Sequence, residues 1–175
     1  MDGVVHRAQD GFEDFVVGAL PELLRFGVVL TGDRYRADDL VQTALVKTMR
    51  RWSAIDRGQP MAYVRRVMVT TQLSWWRRSR RETSLPAGID VVDAGRGSAA
   101  YDDQDQLARA LALLPPRQRA VIVLRYYAGY SEAEIADTLG CAPGTVKSQA
   151  SKAIQTMRRA LHPNDSSRSP AEAMP

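Results

Sequence analysis

Thr145, Lys147, Ser148, Gln149, Ser151, Lys152 and Gln155 set out hydroxyls, amides and amines at helical spacing near the end of the chain. With 3.6 residues per turn, Thr145, Ser148, Ser151, Lys152 and Gln155 share one face and Lys147 and Gln149 flank it. Val146, Ala150, Ala153, Ile154 and Met157 fall on the opposite, apolar face. Groups of that reach suit the base edges and phosphates of a nucleic acid. A second set lies upstream: Arg65, Arg66, Gln72, Trp75, Trp76, Arg77, Arg78, Arg80 and Arg81. Adjacent tryptophans point about 100° apart on a helix, so at least one must lie at a surface or cleft. Arginines there can neutralise phosphates while an exposed indole stacks on an unpaired base.

Covalent and metal chemistry have no comparable support. A phosphate-cradling glycine loop with its lysine is missing, as is any His–Glu metal spacing, and the two histidines, His6 and His162, stand near the ends. Ser, Asp and Glu form no recognisable catalytic arrangement, so neither catalytic residue, cofactor nor metal is expected. Cys141 is the single cysteine, which excludes an intramolecular disulfide and fits a small apolar plug. The N-terminus carries Asp2, Asp10 and Glu13 and does not read as a secretory signal. No apolar run approaches the ~20 residues of a membrane span, so membrane contact is not expected and the cytoplasm is the expected compartment.

The net charge of +4 over 175 residues is modest, and its distribution is more telling. Cations crowd residues 47–81 with only Asp56 among them, whereas Glu82, Asp90, Asp93, Asp102, Asp103 and Asp105 follow against Arg96 alone. A basic stretch of this kind calls for a polyanionic partner.

An all-α fold of two small helical domains joined by a flexible acidic linker is expected. Phe12, Phe15, Val16, Ala19, Leu20, Leu23 and Leu24 recur at helical spacing. Pro21 predicts that one helix ends near Ala19 and another starts at Pro21 and closes at Gly32. The run Arg36-Ala37-Asp38-Asp39 opens the next helix, which ends near Trp52, with Leu40, Val41, Ala44, Leu45, Thr48 and Trp52 packed inward. Its exposed side holds Asp38, Asp39, Gln42, Thr43, Lys47 and Arg50, and an ordinary solvated face would look the same. A long helix from Pro60 to about Arg80 places Met61, Val64, Val67, Met68 and Thr71 inward and Arg65, Arg66 and Gln72 outward.

The first domain spans 8–81, a linker rich in Gly, Pro and acids spans 82–103, the second domain spans 104–161, and residues 162–175 form a frayed tail. In the second domain, Gln104 to Leu114 is a helix stopped by Pro115-Pro116, and Arg117 to Tyr127 resumes as one. Ser131 and Glu134 have capping-box spacing, Gly140 suits a left-handed helix end, and Pro143 starts a new helix. Ala136, Gly140 and Val146 then stand at the offsets of a helix-turn-helix: a small residue at the crossing, a flexible corner and a β-branched plug.

These stretches in this order resemble a known family. Asp38-Asp39-Leu40-Val41-Gln42, Trp75-Trp76-Arg77-Arg78, Leu114-Pro115-Pro116-Arg117-Gln118-Arg119 and Ser131-Glu132-Ala133-Glu134-Ile135-Ala136 through Gly144-Thr145-Val146-Lys147-Ser148 look like the extracytoplasmic-function (ECF) sigma factors of bacterial RNA polymerase, with regions two and four of the sigma-70 family. The likeness covers about residues 10 to 161. It implies a partner, the polymerase core, held through its clamp helices by Asp38, Asp39, Gln42, Thr43, Lys47 and Arg50 and through its flap by the second domain. It also implies promoter DNA as ligand. The Pro60 to Arg81 helix would recognise and melt the downstream element with Arg65, Arg66, Gln72, Trp75, Trp76, Arg77, Arg78, Arg80 and Arg81. Thr145, Lys147, Ser148, Gln149, Ser151, Lys152 and Gln155 would read the upstream element as duplex. An anti-sigma factor is a further implied partner. The chain departs from the family pattern at Ala142, where a Ser or Thr cap is usual, and at Gln149, where many relatives carry a basic residue.

The alternative is a free-standing helix-turn-helix regulator that binds duplex operators as a dimer. It would need a dimerisation or sensing module where this chain has a basic helix ending in tryptophans. An enzyme is the third and weakest class.

Overall fold

In the computed structural model, residues 2–55, 58–82 and 99–162 are described. They are helical apart from short connections, with no strand among them, and they fall into two compact units. The expected linker and tail lie mostly outside the described residues.

The first unit is built on α1 (Asp2–Thr31), α2 (Arg34–Met49) and α3 (Pro60–Glu82), with a 3-10 turn at Trp52–Ala54 between the last two. Leu23, Phe26 and Leu30 of α1, Leu40, Val41 and Ala44 of α2, and Val64, Met68 and Val69 of α3 form its buried core. At Gly27 α1 comes close against α2, and a Cβ there would lie 3.1 Å from that of Ala37. Gly32 ends α1 with φ of 77°, and its N–H donates to the Val28 carbonyl at 2.7 Å. Trp52 packs against α1, its ring 5.1 Å from that of Phe12 and 5.2 Å from that of Phe15.

Three expectations for the helix limits of this unit are corrected. Pro21 does not divide α1, which runs unbroken through it. The lost hydrogen bond belongs to the carbonyl of Val17, a residue on the exposed side where water can replace the missing donor. The start of α2 lies at Arg34 rather than Arg36 because Asp33 caps it, its Oδ1 accepting from the Arg36 N–H at 2.7 Å. That helix also stops at Met49, and Trp52 belongs to the following turn.

The second unit is built on α4 (Ala99–Ala112), α5 (Pro116–Ile122), α6 (Glu132–Leu139) and α7 (Pro143–Leu161). The first of these begins five residues earlier than Gln104, inside the stretch expected to be linker. Ala99-Ala100 is a strong helix-forming pair. Pro115-Pro116 separates α4 from α5 as expected, and Arg119 spans the break: its guanidinium donates to the carbonyls of Leu111 and Ala112, both at 2.8 Å. Both carbonyls lie in the last turn of α4, where intrahelical partners run out, and that of Leu111 also accepts from the Leu114 N–H at 3.1 Å.

Beyond α5 the chain does not continue as an α-helix to Tyr127. Val123–Tyr127 widens into a π-turn, with the Ala128 N–H donating to the Val123 carbonyl at 3.0 Å. Ala120 to Leu124 are all buried, more consecutive positions than one α-helical face can hold, so this segment is packed around its circumference. The wider turn then delivers Tyr126 and Tyr127 to the surface.

Candidate nucleic-acid interface

The corner between α6 and α7 is fixed by local hydrogen bonds at both ends of α6. Ser131 and Glu134 close the capping box: the Ser131 N–H and hydroxyl donate to Glu134 Oε2 at 2.8 and 2.6 Å, and the Glu134 N–H returns to Ser131 Oγ at 3.3 Å. The Ser131 hydroxyl, and then its backbone N–H, hold the Glu134 carboxyl below the ordinary carboxylate value. At the other end Gly140 has φ of 60°. The Cys141 N–H donates to the Ala136 carbonyl at 3.0 Å and the Gly140 N–H to the Asp137 carbonyl at 3.3 Å, the paired bonds of a Schellman ending. Ala136, Val146, Ala150 and Ala153 are buried, so the small crossing residue and the β-branched plug stand where the motif needs them.

With that face buried, α7 turns the other outward. Thr145, Lys147, Ser148, Ser151, Lys152 and Gln155 are exposed, and Gln149 is half-buried on the flank. The Ser148 hydroxyl donates back to the Thr145 carbonyl at 3.0 Å, a bond that a base or phosphate can exchange. The α7 N-terminus has no side-chain cap, as Ala142 foretells: backbone N–H groups of Thr145 and Val146 share the Ala142 carbonyl at 2.9 and 3.3 Å. Lys147 also meets Glu132 of α6, at 3.7 Å.

The basic helix behaves differently. Arg66, Arg77, Arg78, Arg80 and Arg81 are exposed, while Gln72, Trp75 and Trp76 are half-buried, leaving part of both indoles open. The Arg80 guanidinium lies 5.0 Å from the Trp76 ring centre, within cation–π range, so cation and ring form one composite surface. Arg65 is the exception to its expected outward aim. Its side chain is only 13% exposed, it pairs with Glu22 of α1, and its guanidinium stands 5.6 Å from the Phe26 ring centre. An arginine so engaged braces α3 against α1. Helical period alone did not reveal it, because the carboxylate that draws it in lies 43 residues away in sequence.

On α2, Asp39, Gln42 and Lys47 are exposed and Asp38 and Thr43 half-buried, and Arg50, the residue that caps its end, is exposed. The Lys47 ammonium donates to the Thr71 hydroxyl of α3 at 2.8 Å, which ties the end of α2 to the middle of α3. No described helix is long and apolar enough to cross a membrane. Among the described residues no group of three or more His, Cys, Asp or Glu is gathered to hold a metal ion.

Two family models match: Sigma-70 region 2 over residues 15–82 and Sigma-70, region 4 over residues 104–157. The RNA polymerase sigma-E factor of Streptomyces avermitilis is 37% identical over 155 residues, covering 88% of this chain and 87% of that protein. This chain belongs to the sigma-70 family as an ECF sigma factor. Another sigma factor similar to it is the ECF RNA polymerase sigma factor SigL of Mycobacterium tuberculosis, 34% identical over 149 residues, covering 79% of this chain and 82% of that protein. Among solved structures, the sigma factor RpoE in complex with the anti-sigma factor NepR from Bartonella quintana matches this sigma factor with a TM-score of 0.68 and 28% identity, over 88% of this chain and 98% of that one. The fold is shared also with CnrH, in complex with the cytosolic domain of CnrY, at a TM-score of 0.63 and 21% identity, over 91% of this chain and 96% of that one.

Proposed function

We propose that this sigma factor gives the RNA polymerase core its promoter specificity and begins strand opening, acting as a binding protein without an active site of its own. The observation that carries the proposal is the pair of outward faces, each on its own small helical unit. One is the polar row of α7, and the other is the arginine and tryptophan surface of α3.

In this reading Thr145, Lys147, Ser148, Gln149, Ser151, Lys152 and Gln155 lie in the major groove of the upstream element. Arg66, Gln72, Trp75, Trp76, Arg77, Arg78, Arg80 and Arg81 engage the downstream element, with Arg65 as a brace behind them rather than a contact. Opening duplex costs about 1.4 kcal/mol per base-pair step. Extruded bases captured against the indoles and guanidiniums return about 1–3 kcal/mol each. Asp38, Asp39, Gln42, Thr43, Lys47 and Arg50 form the docking face for the polymerase clamp helices, the second unit holds the flap, and an anti-sigma factor competes for these surfaces. The functional division falls at 8–81 and 104–161, and the cytoplasm is the compartment where such a protein meets polymerase.

Run-off transcription with purified core and a randomised promoter library tests this directly. Accurate initiation that depends on the added chain, with one enriched promoter class, is the expected result. Equal accuracy in its absence, or tight specific binding of operator duplex by the chain alone, would replace the proposal with a free-standing regulator.

A further inference from the structure

Glu132, at the start of α6, stands between two cations of the second unit. Its Oε1 accepts from an Arg125 guanidinium nitrogen at 3.0 Å, and its Oε2 lies 3.7 Å from the Lys147 ammonium. The same guanidinium lies 5.7 Å from the centre of the Tyr126 ring, so the π-turn holds the arginine that holds the carboxylate. Glu132 is 30% exposed and Lys147 70%, so the carboxylate is the more buried member of the pair and the one with a second partner.

Lysine is a point charge on a flexible four-carbon stem, and unrestrained it settles on whichever phosphate is nearest. Contacts to phosphate supply essentially all non-specific affinity and carry no sequence information. A carboxylate beside the lysine opposes this in two ways. It repels the approaching backbone, and it confines the ammonium to a small arc at the flank of the α7 polar row. We infer that Glu132 is a specificity-determining positioning residue, which holds Lys147 at the flank of the α7 polar row and withholds it from indiscriminate phosphate contact. The inference rests on the reading of α7 as the helix that meets duplex DNA. Arg125 has a corresponding part, since it occupies the second carboxylate oxygen and keeps Glu132 from following the lysine.

The test uses holoenzyme assembled from polymerase core and the full chain. Its probes are a duplex bearing the upstream sequence that wild type enriches from a randomised pool and the same duplex with that segment scrambled. Glu132→Gln is expected to raise affinity for the scrambled duplex about two- to fivefold, the scale of a partly exposed ion pair, and to lower the specific-to-scrambled ratio by a similar factor. Glu132→Asp, which keeps the charge, should recover part of that ratio. In a Lys147→Ala background, Glu132→Gln should leave the ratio where Lys147→Ala alone put it. An unchanged ratio in Glu132→Gln, or the same change with Lys147 absent, overturns the inference, the second because it would trace the effect to α6 itself. Wild-type holoenzyme that enriches no upstream sequence would overturn the reading of α7 and the inference together.

Discussion

On the proposed function, the polar row of α7 and the surface of α3 carry the same kind of task on opposite physical terms. On α7 the outward residues are hydroxyls, amides and two lysines, small groups whose use depends on where the helix is held. Accordingly the corner beneath is closed by the Ser131–Glu134 box, the Gly140 ending and the buried Val146. On α3 the outward residues are arginines and indoles, large groups that attract a phosphate or a flat base over a wide range of poses, and the helix behind them is held by its buried side and by the polar ties of Arg65 to Glu22 and of Lys47 to Thr71. Reading an intact duplex rewards a rigid frame with small donors. Holding an opened strand rewards broad, charged, aromatic surface.

The largest expected effect breaks that contrast on the α3 side. Trp75→Ala or Trp76→Ala should weaken open-complex formation by about 1–3 kcal/mol for each base no longer stacked, while leaving closed-complex affinity near wild type. Permanganate reactivity measured beside filter binding separates the two, and wild-type reactivity for both variants would end the strand-capture assignment. Next comes Arg65→Ala, expected to cost about 1–2 kcal/mol of stability in the first unit, less than a fully buried pair would because Glu22 is partly exposed. Thermal unfolding should register it, whereas the salt dependence of DNA binding should not change. A salt slope that falls as much as for Arg78→Ala would return Arg65 to the DNA-facing set.

On the α7 side, Ser131→Ala should cost about 1 kcal/mol, the worth of a helix cap, and weaken upstream-element binding without altering its salt slope. The capping box also carries a pH signature. Because the Glu134 carboxyl is held below its ordinary value in the folded state, its contribution is present at neutral pH. It is lost as pH falls from the ordinary carboxylate value through the lowered one. The gap between Ser131→Ala and wild type in acid unfolding should therefore narrow at low pH without closing, since the bond from the Glu134 N–H to Ser131 Oγ does not titrate, and a constant offset would exclude the linkage. The smallest effect is expected from Lys152→Ala. Loss of one phosphate contact lowers the slope of log affinity against log salt by about 0.9, with little change in which sequence is preferred.

Legibility from sequence followed the range of the interaction. The capping box, the positive φ of Gly140 and the buried face of α7 are decided by residues within a few positions of one another, and the spacing alone foretold them. Misplaced features depended on something beyond the window. Pro21 is tolerated because its face of α1 looks outward, and α2 gains its first turn from Asp33. Arg65 turns inward toward Glu22, which no periodicity in α3 records. The π-turn at Val123–Tyr127 answers to packing around the whole segment, and a 3.6-residue pattern has no means of announcing it. Within the candidate interface the outward exposure of the α7 row was readable, but the pairing of Lys147 with Glu132 was not, since it crosses from one helix to the next.

One consequence of the way α6 is tied off concerns timing. Eight residues are too few to persist as a helix in water, yet both of its ends are closed by rings that span only three to five positions of chain. Such short loops form with little entropic cost, so this small piece is well placed to organise early during synthesis and wait for α7. On the proposed function, the nascent protein would then own the angle of its reading helix before any DNA or polymerase arrives to impose one.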